Sequence, residues 1–196
     1  ELAARKRAHV ARHVQPAMWL KGDLAEFALE PASCGNVLFD AIRLDPPWRD
    51  PRWTPARVAA LRVDQIADPR GAFVFLWCGD GNDHLLERGR ECLRAWGFRR
   101  VEEIVWLKTN KEKRNEPEAL GTRGASSPPP SRPVLLPTKE HCLVGILGNL
   151  RRDRDGHLMH ANLDVDVIVS EAPPDASDDA TPLSTYACLL YPSPTP

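Results

Sequence analysis

The chain of 196 residues has no Cys-x-x-Cys pair; its five cysteines, at 34, 78, 92, 142 and 188, are odd in number and scattered. That pattern speaks against a disulfide framework and reads as reduced thiols in a cytosolic or nuclear protein. No apolar run approaches the roughly 20 residues that span a bilayer. No long apolar stretch follows the basic Arg5-Lys6-Arg7, so no signal peptide is expected. Charge of one sign is also lacking: Asp and Glu number 27 against 26 Lys and Arg, a net of -1. A uniformly basic nucleic-acid protein is thereby excluded, whereas a local basic patch is not. There is no internal repeat. Hydrophobic residues at 42% exclude wholesale disorder.

Proline is what the chain has in excess: 19 residues, about twice the usual share. Its clusters divide the sequence. Residues 1–30 form a basic amphipathic lead-in, with a turn at Lys21-Gly22-Asp23-Leu24. A domain is expected over 31–172, and a disordered or aberrant tail over 173–196. Val37–Leu44 is an apolar, β-prone run that Asp45-Pro46-Pro47-Trp48 ends, because prolines cannot continue a central strand. Thr54 and Pro55 suit the cap and first turn of a helix over 54–66. Ala72–Cys78 is apolar throughout, the pattern of a strand buried on both faces. Leu85, Gly89, Cys92, Leu93 and Trp96 share one helical face, which Gly97 terminates. Further strands are expected at Val101–Leu107, Cys142–Leu147 and Val165–Val169, and a flexible loop at 111–137. Strand, helix, strand at this spacing predicts βαβ units in a twisted, mostly parallel sheet.

The chemistry concentrates at Asp45-Pro46-Pro47-Trp48. In an open α/β sheet, ligands bind beyond the carboxyl ends of the strands. An exocyclic amine on a base is a poor nucleophile, because its lone pair is delocalised into the ring. A carboxylate and a rigidly held carbonyl accepting its N–H bonds draw the nitrogen toward tetrahedral geometry. Proline fixes that backbone and offers no competing N–H. Trp48 offers a stacking face. The bland alternative, a plain turn, fits the tetrapeptide alone equally well.

Five motifs in order resemble those of the MT-A70 family of eukaryotic adenine-N(6) methyltransferases: FDAIRLDPPW (39–48), FLWCG (75–79), RGRECLRAWGFRRVEEIVWLKTNK (88–111), TKEHCLVGILGN (138–149) and HANLDVDVIVSE (160–171). FLWCG and HANLDVDVIVSE look most like the family's RNA-holding partner subunit. The resemblance implies a Rossmann-like fold with helices on both faces, S-adenosylmethionine as cofactor, an RNA (mRNA) substrate, a heterodimer and a nuclear location. It carries catalytic roles to Asp45, Pro46, Pro47 and Trp48, cofactor contacts to Asp23, Asp45 and Lys139, and RNA contacts to Arg90, Arg99 and Arg100. It implies no metal. The partner-type member has EPPL where this chain keeps DPPW. Nothing after Glu171 resembles the family, which suggests a missing C-terminal part.

Other groups read more plainly. His9 and His13 have ligand spacing on a helix but no third ligand nearby. His157 and His160 lie near Asp155 and Asp164 without a family counterpart. Arg151, Arg152 and Arg154 suit either phosphate contact or a solvated turn. Cys142 opens an apolar strand and reads as a buried thiol. Trp77, Trp96 and Trp106 read as packing. The expectation is a subunit of an RNA adenosine methyltransferase complex, with catalysis by the chain itself left open. A non-catalytic RNA-positioning scaffold and a DNA adenine methyltransferase stand as alternatives.

Overall fold

A computed structural model describes residues 1–13, 22–24, 26–48, 50–79, 84–109, 138–149 and 165–171. Among them α1 is Leu2–His13, β1 Ala41–Leu44, α2 Pro55–Ala59, α3 Val63–Ile66, β2 Gly71–Trp77, α4 Leu85–Ala95, β3 Arg99–Thr109, β4 Lys139–Gly148 and β5 Val167–Glu171. The expected loop at 111–137 and tail at 173–196, and Arg151, Arg152, Arg154, His157 and His160, lie outside the described residues. No described helix is long and apolar enough to cross a membrane.

The five strands form one sheet in the order β1-β2-β4-β3-β5. β1 and β2 are parallel, as are β3 and β5. β4 is antiparallel to both β2 and β3. The expected mostly parallel sheet is therefore corrected to a mixed one, in which the central strand runs against the other four. The physical reason lies in the connections. The β2–α4–β3 crossover places β3 two positions from β2, and β4 returns into the gap. The amino end of β4 thus lies beside the carboxyl ends of β1, β2, β3 and β5.

Alternation sorts the strand residues onto two faces. One face carries Ile42, Val74, Leu76, Cys78 and Leu143, packed with Val58 of α2, Val63 and Ile66 of α3, and Cys92 and Leu93 of α4. The other carries Phe75, Trp77, Trp106, Cys142 and Val144, with Ala41, Phe73, Ile104 and Ile168 at their edges. Helices were expected on both faces. Among the described residues, α2, α3 and α4 pack on the first face alone.

Local chemistry explains several boundaries. Thr54 caps α2, its hydroxyl accepting from Arg57 N at 3.3 Å, with Pro55 in the first turn. The expected helix over 54–66 breaks into α2 and α3 at Leu61 and Arg62. Gly97, at φ +76°, turns the chain out of α4. α4 lies so close to the sheet that a Cβ on Gly89 would stand 2.4 Å from Cys78 Sγ.

Candidate active site and RNA-binding groove

Asp45 follows β1 directly, so the alternation that puts Arg43 beside Phe75 puts Asp45 beside Trp77. Arg43 Nη2 donates to Asp45 Oδ2 at 3.0 Å. The pair is partly enclosed, with side-chain exposures of 11% for Arg43 and 28% for Asp45. Across β2, Cys142 stands opposite Trp77. Burial pushes the Cys142 thiol up most strongly, Asp45 adds to the shift and Arg43 opposes it. These groups therefore share one face at one end of the sheet.

The two prolines are held in a tight turn. Pro46 O accepts from Trp48 N at 2.8 Å, and Pro47 O accepts from Asp50 N at 2.9 Å. A carbonyl oxygen has a second lone pair, so Pro46 O can still accept from a ligand. Beyond them Arg52 is bonded to Asp50 at 2.6 Å, and the Arg57 guanidinium lies 5.1 Å over Trp53. Asp23, on its turn near the amino end, acts electrostatically on Arg52. The fold thereby brings Asp23 toward the loop that Asp45 opens.

Trp48 occupies a different place from a free stacking platform. Its ring packs against the helix-side core. Its indole Nε1 donates to Trp77 O at 2.7 Å, tying the loop to the end of β2. Trp77 is one of the large aromatics on the Asp45 face, with Phe75 and Trp106. Sequence reasoning read Trp77, Trp96 and Trp106 alike as packing, and all three are buried. Their polar atoms differ. Trp96 Nε1 donates to Ala59 O at 3.1 Å and Trp106 Nε1 to Ser170 O at 3.2 Å. Among the described residues, Trp77 Nε1 is buried without a partner.

Lys139 opens β4 at the same end of the sheet and is exposed. Its register partner is Leu107, so it belongs to the α4 side by alternation. Lys108, one residue on, belongs to the Asp45 side. There it is ion-paired with buried Glu140, 5.0 Å over the Trp106 ring. On the α4 side His141 Nδ1 meets Glu103 Oε1 at 2.5 Å. The buried thiols are poor nucleophiles: desolvation is the first cause that pushes Cys78 up to about 12 and Cys92 to about 11. Among the described residues no group of three or more His, Cys, Asp or Glu is placed to hold a metal ion.

The arginines lie elsewhere. A shallow groove of about 310 Å³ between α4 and β3 is lined by Glu87, Arg90, Leu93, Arg94, Phe98 and Arg100. Glu87 is shared, bonding Arg90 at 3.1 Å and Arg94 at 3.3 Å. Two guanidiniums thus share one carboxylate, and Arg100 lines the same groove. A register shift between Arg100 and Glu102 sets the groove's far wall. The extra residue, Val101, lets both Arg100 and Glu103 point toward α4. Arg99 precedes Arg100 and leaves the strand on the opposite face, so the groove gathers Arg90 and Arg100 but not Arg99. Arg94 was missed, although its spacing of four from Arg90 on a helix was a signal for it. Arg43 was missed too, two residues before Asp45 on one strand.

Comparison with known proteins matches the MT-A70 family model over residues 39–185, beyond the motif at 160–171. The Arabidopsis thaliana protein named N6-adenosine-methyltransferase non-catalytic subunit MTB is 43% identical over 89% of this chain and 22% of its own length. The Xenopus laevis non-catalytic subunit METTL14 is 39% identical over 88% of this chain and 37% of its own. The Arabidopsis thaliana N(6)-adenosine-methyltransferase MT-A70-like is 33% identical over 79% and 20%. The chain thus spans well under half the length of these relatives. A family match over most of its residues, with the motif strand and loop folded at one sheet end, establishes that the chain belongs to the MT-A70 family.

Proposed function

We propose that this chain is a subunit of an RNA adenosine N6-methyltransferase complex, in which a methyl group passes from S-adenosylmethionine to adenine N6 in mRNA. The observation that carries the reading is Asp45, held at the carboxyl end of β1 by Arg43 in a chain of this family. A carboxylate there, with Pro46 O beside it, is the acceptor pair that an exocyclic amine needs. Positioning and electrostatics then account for the catalysis.

S-adenosylmethionine supplies the electrophilic methyl when bound. The residues present are of the kind it needs. Its carboxylate suits Lys139, and its ammonium and ribose hydroxyls suit the carboxylates of Asp23 and Asp45. Arg90, Arg94 and Arg100 serve RNA phosphates, and Arg99 extends that surface on the other face of β3. The complex is a heterodimer with a second family subunit, located in the nucleus.

A second reading, a non-catalytic scaffold that positions RNA, draws support from two observations. Trp48 is half-buried, its ring packed against the helix-side core and its indole N–H bonded to Trp77 O, and the relatives MTB and METTL14 carry non-catalytic in their names. Asp45→Ala in the assembled complex separates the readings. Catalysis by this chain predicts that methyl transfer collapses while assembly survives; unchanged transfer leaves the scaffold. Matched ribo- and deoxyribo-oligonucleotides distinguish RNA from DNA as substrate, since the 2′-hydroxyl is the difference read.

A further inference from the structure

Of the three tryptophans buried on or against the sheet, two have bonded indoles and one does not. Among the described residues, Trp77 Nε1 is shut off from solvent with no acceptor. Its ring is fully buried. Its backbone is pinned, its carbonyl taking the Trp48 indole at 2.7 Å. The side chain leaves β2 on the face that carries Arg43 and Asp45, one strand away. Neighbouring strands lie about 4.8 Å apart. An acceptor and a donor leaving neighbouring strands on one face can converge on two adjacent atoms of a base edge. Adenine presents such a pair, the N6 amine as donor beside a ring nitrogen as acceptor, on both its Watson–Crick and its major-groove edge.

We propose that Trp77 positions the target base by donating its indole N–H to the adenine ring nitrogen next to the amine that Asp45 accepts. This rests on the reading of Asp45 as the amine acceptor. A keto purine inverts the pattern: it presents an oxygen to the Asp45 carboxylate, and is refused. The bare donor is the mark of the missing acceptor, since buried polar groups are otherwise almost always paired. Because Nε1 is enclosed, the base must displace what covers it, so the bond forms only as the base seats. Trp48 then acts by holding Trp77 in place, through the Trp77 carbonyl, rather than by stacking.

The test uses the assembled complex, S-adenosylmethionine and three single-stranded RNA oligonucleotides of one sequence. The target position carries adenosine, 1-deazaadenosine or 7-deazaadenosine, each analogue lacking one ring acceptor. Methyl transfer is read as kcat and KM. The native complex should use adenosine about tenfold better in kcat/KM than one of the two analogues, about 1.4 kcal/mol. Trp77→Phe keeps an aromatic side chain but loses the N–H donor together with the five-membered ring, so the comparison among the three substrates, not the overall loss of rate, reports on the donor. It should lower kcat/KM for adenosine about tenfold and remove the preference over that analogue, its remaining activity still abolished by Asp45→Ala. A structural role alone would depress all three substrates equally, and that result overturns the proposal. So does a preference that survives Trp77→Phe. Transfer to adenosine that is indifferent to Asp45→Ala in otherwise native complex overturns the Asp45 reading first, and this inference with it.

Discussion

Gly89→Ala is a sharp test of how α4 sits on the sheet. In an isolated helix the change would help by about 1 kcal/mol, because glycine is the poorer helix former. In this fold the new Cβ would stand 2.4 Å from Cys78 Sγ and 3.0 Å from Leu143 Cδ1. Leu143 can swing its terminal methyl away. Cys78 cannot easily do so, since its short side chain is fully buried beneath the helix. Overpacking of this kind costs about 1–3 kcal/mol, which outweighs the propensity gain. A net loss of about 1 kcal/mol is expected, or about 0.5 M in urea midpoint for a slope near 2 kcal/mol/M. The decisive measurement repeats the substitution in a Cys78→Ala background, where the obstructing sulfur is gone. There Gly89→Ala should turn neutral or stabilising, a coupling of about 1 kcal/mol or more. Equal effects in the two backgrounds would refute the contact as the cause. A stabilised single variant would mean that α4 stands further from β2 than described.

Two further outcomes are expected. Arg94→Glu together with Arg100→Glu should weaken RNA binding and flatten the dependence of log K on log salt by about 0.7 for each lost phosphate contact to a single strand; an unchanged slope in a filter-binding titration would remove the groove from the RNA path. The Asp50 and Asp64 carboxyls are held below their ordinary value of 3.8, each first by the hydrogen bond from its arginine, Arg52 or Arg62. A lowered folded-state value means that the stability each pair contributes is present above the unfolded value and is lost as pH falls through the folded one. Urea midpoints should therefore decline from about pH 5 downward, and Asp64→Asn should make that decline slightly shallower, slightly because a solvent-screened pair contributes little.

The elements with a strong local pattern were legible in the sequence. The apolar run ending at Trp77, the apolar face of α4 and the proline stop after Leu44 each follow from rules acting within a few residues. Strand direction does not. The pattern of β4 reads the same whether it runs with or against β2, and only the return of the chain into the gap beside β3 decides it. Residue parity was likewise hidden. Arg99 and Arg100 are adjacent arginines in the sequence, and a single extra residue at Val101 determines which of them meets α4. The roles of Trp48 and Trp77 were assigned by residue type. Their separation depends on which face of β1 and β2 each leaves, and on a backbone carbonyl that only the folded chain brings to an indole. Asp45 was legible because its neighbours on both sides, a strand and two prolines, place it without tertiary information.

The central position of β4 also dictates an order of events during folding. β2 and β3 are synthesised first, yet the edges they turn toward each other have no partner until Lys139–Gly148 has emerged. A chain paused before that point presents two open apolar edges, the kind of surface that recruits other strands. Closure of the sheet is a late, long-range event, which places this fold among the slower ones. During refolding at high concentration, a β4 segment from a second chain would fit the same slot as the chain's own. Concentration-dependent, exchangeable dimers are the expected misassembly, and dilution before refolding is the way to avoid them.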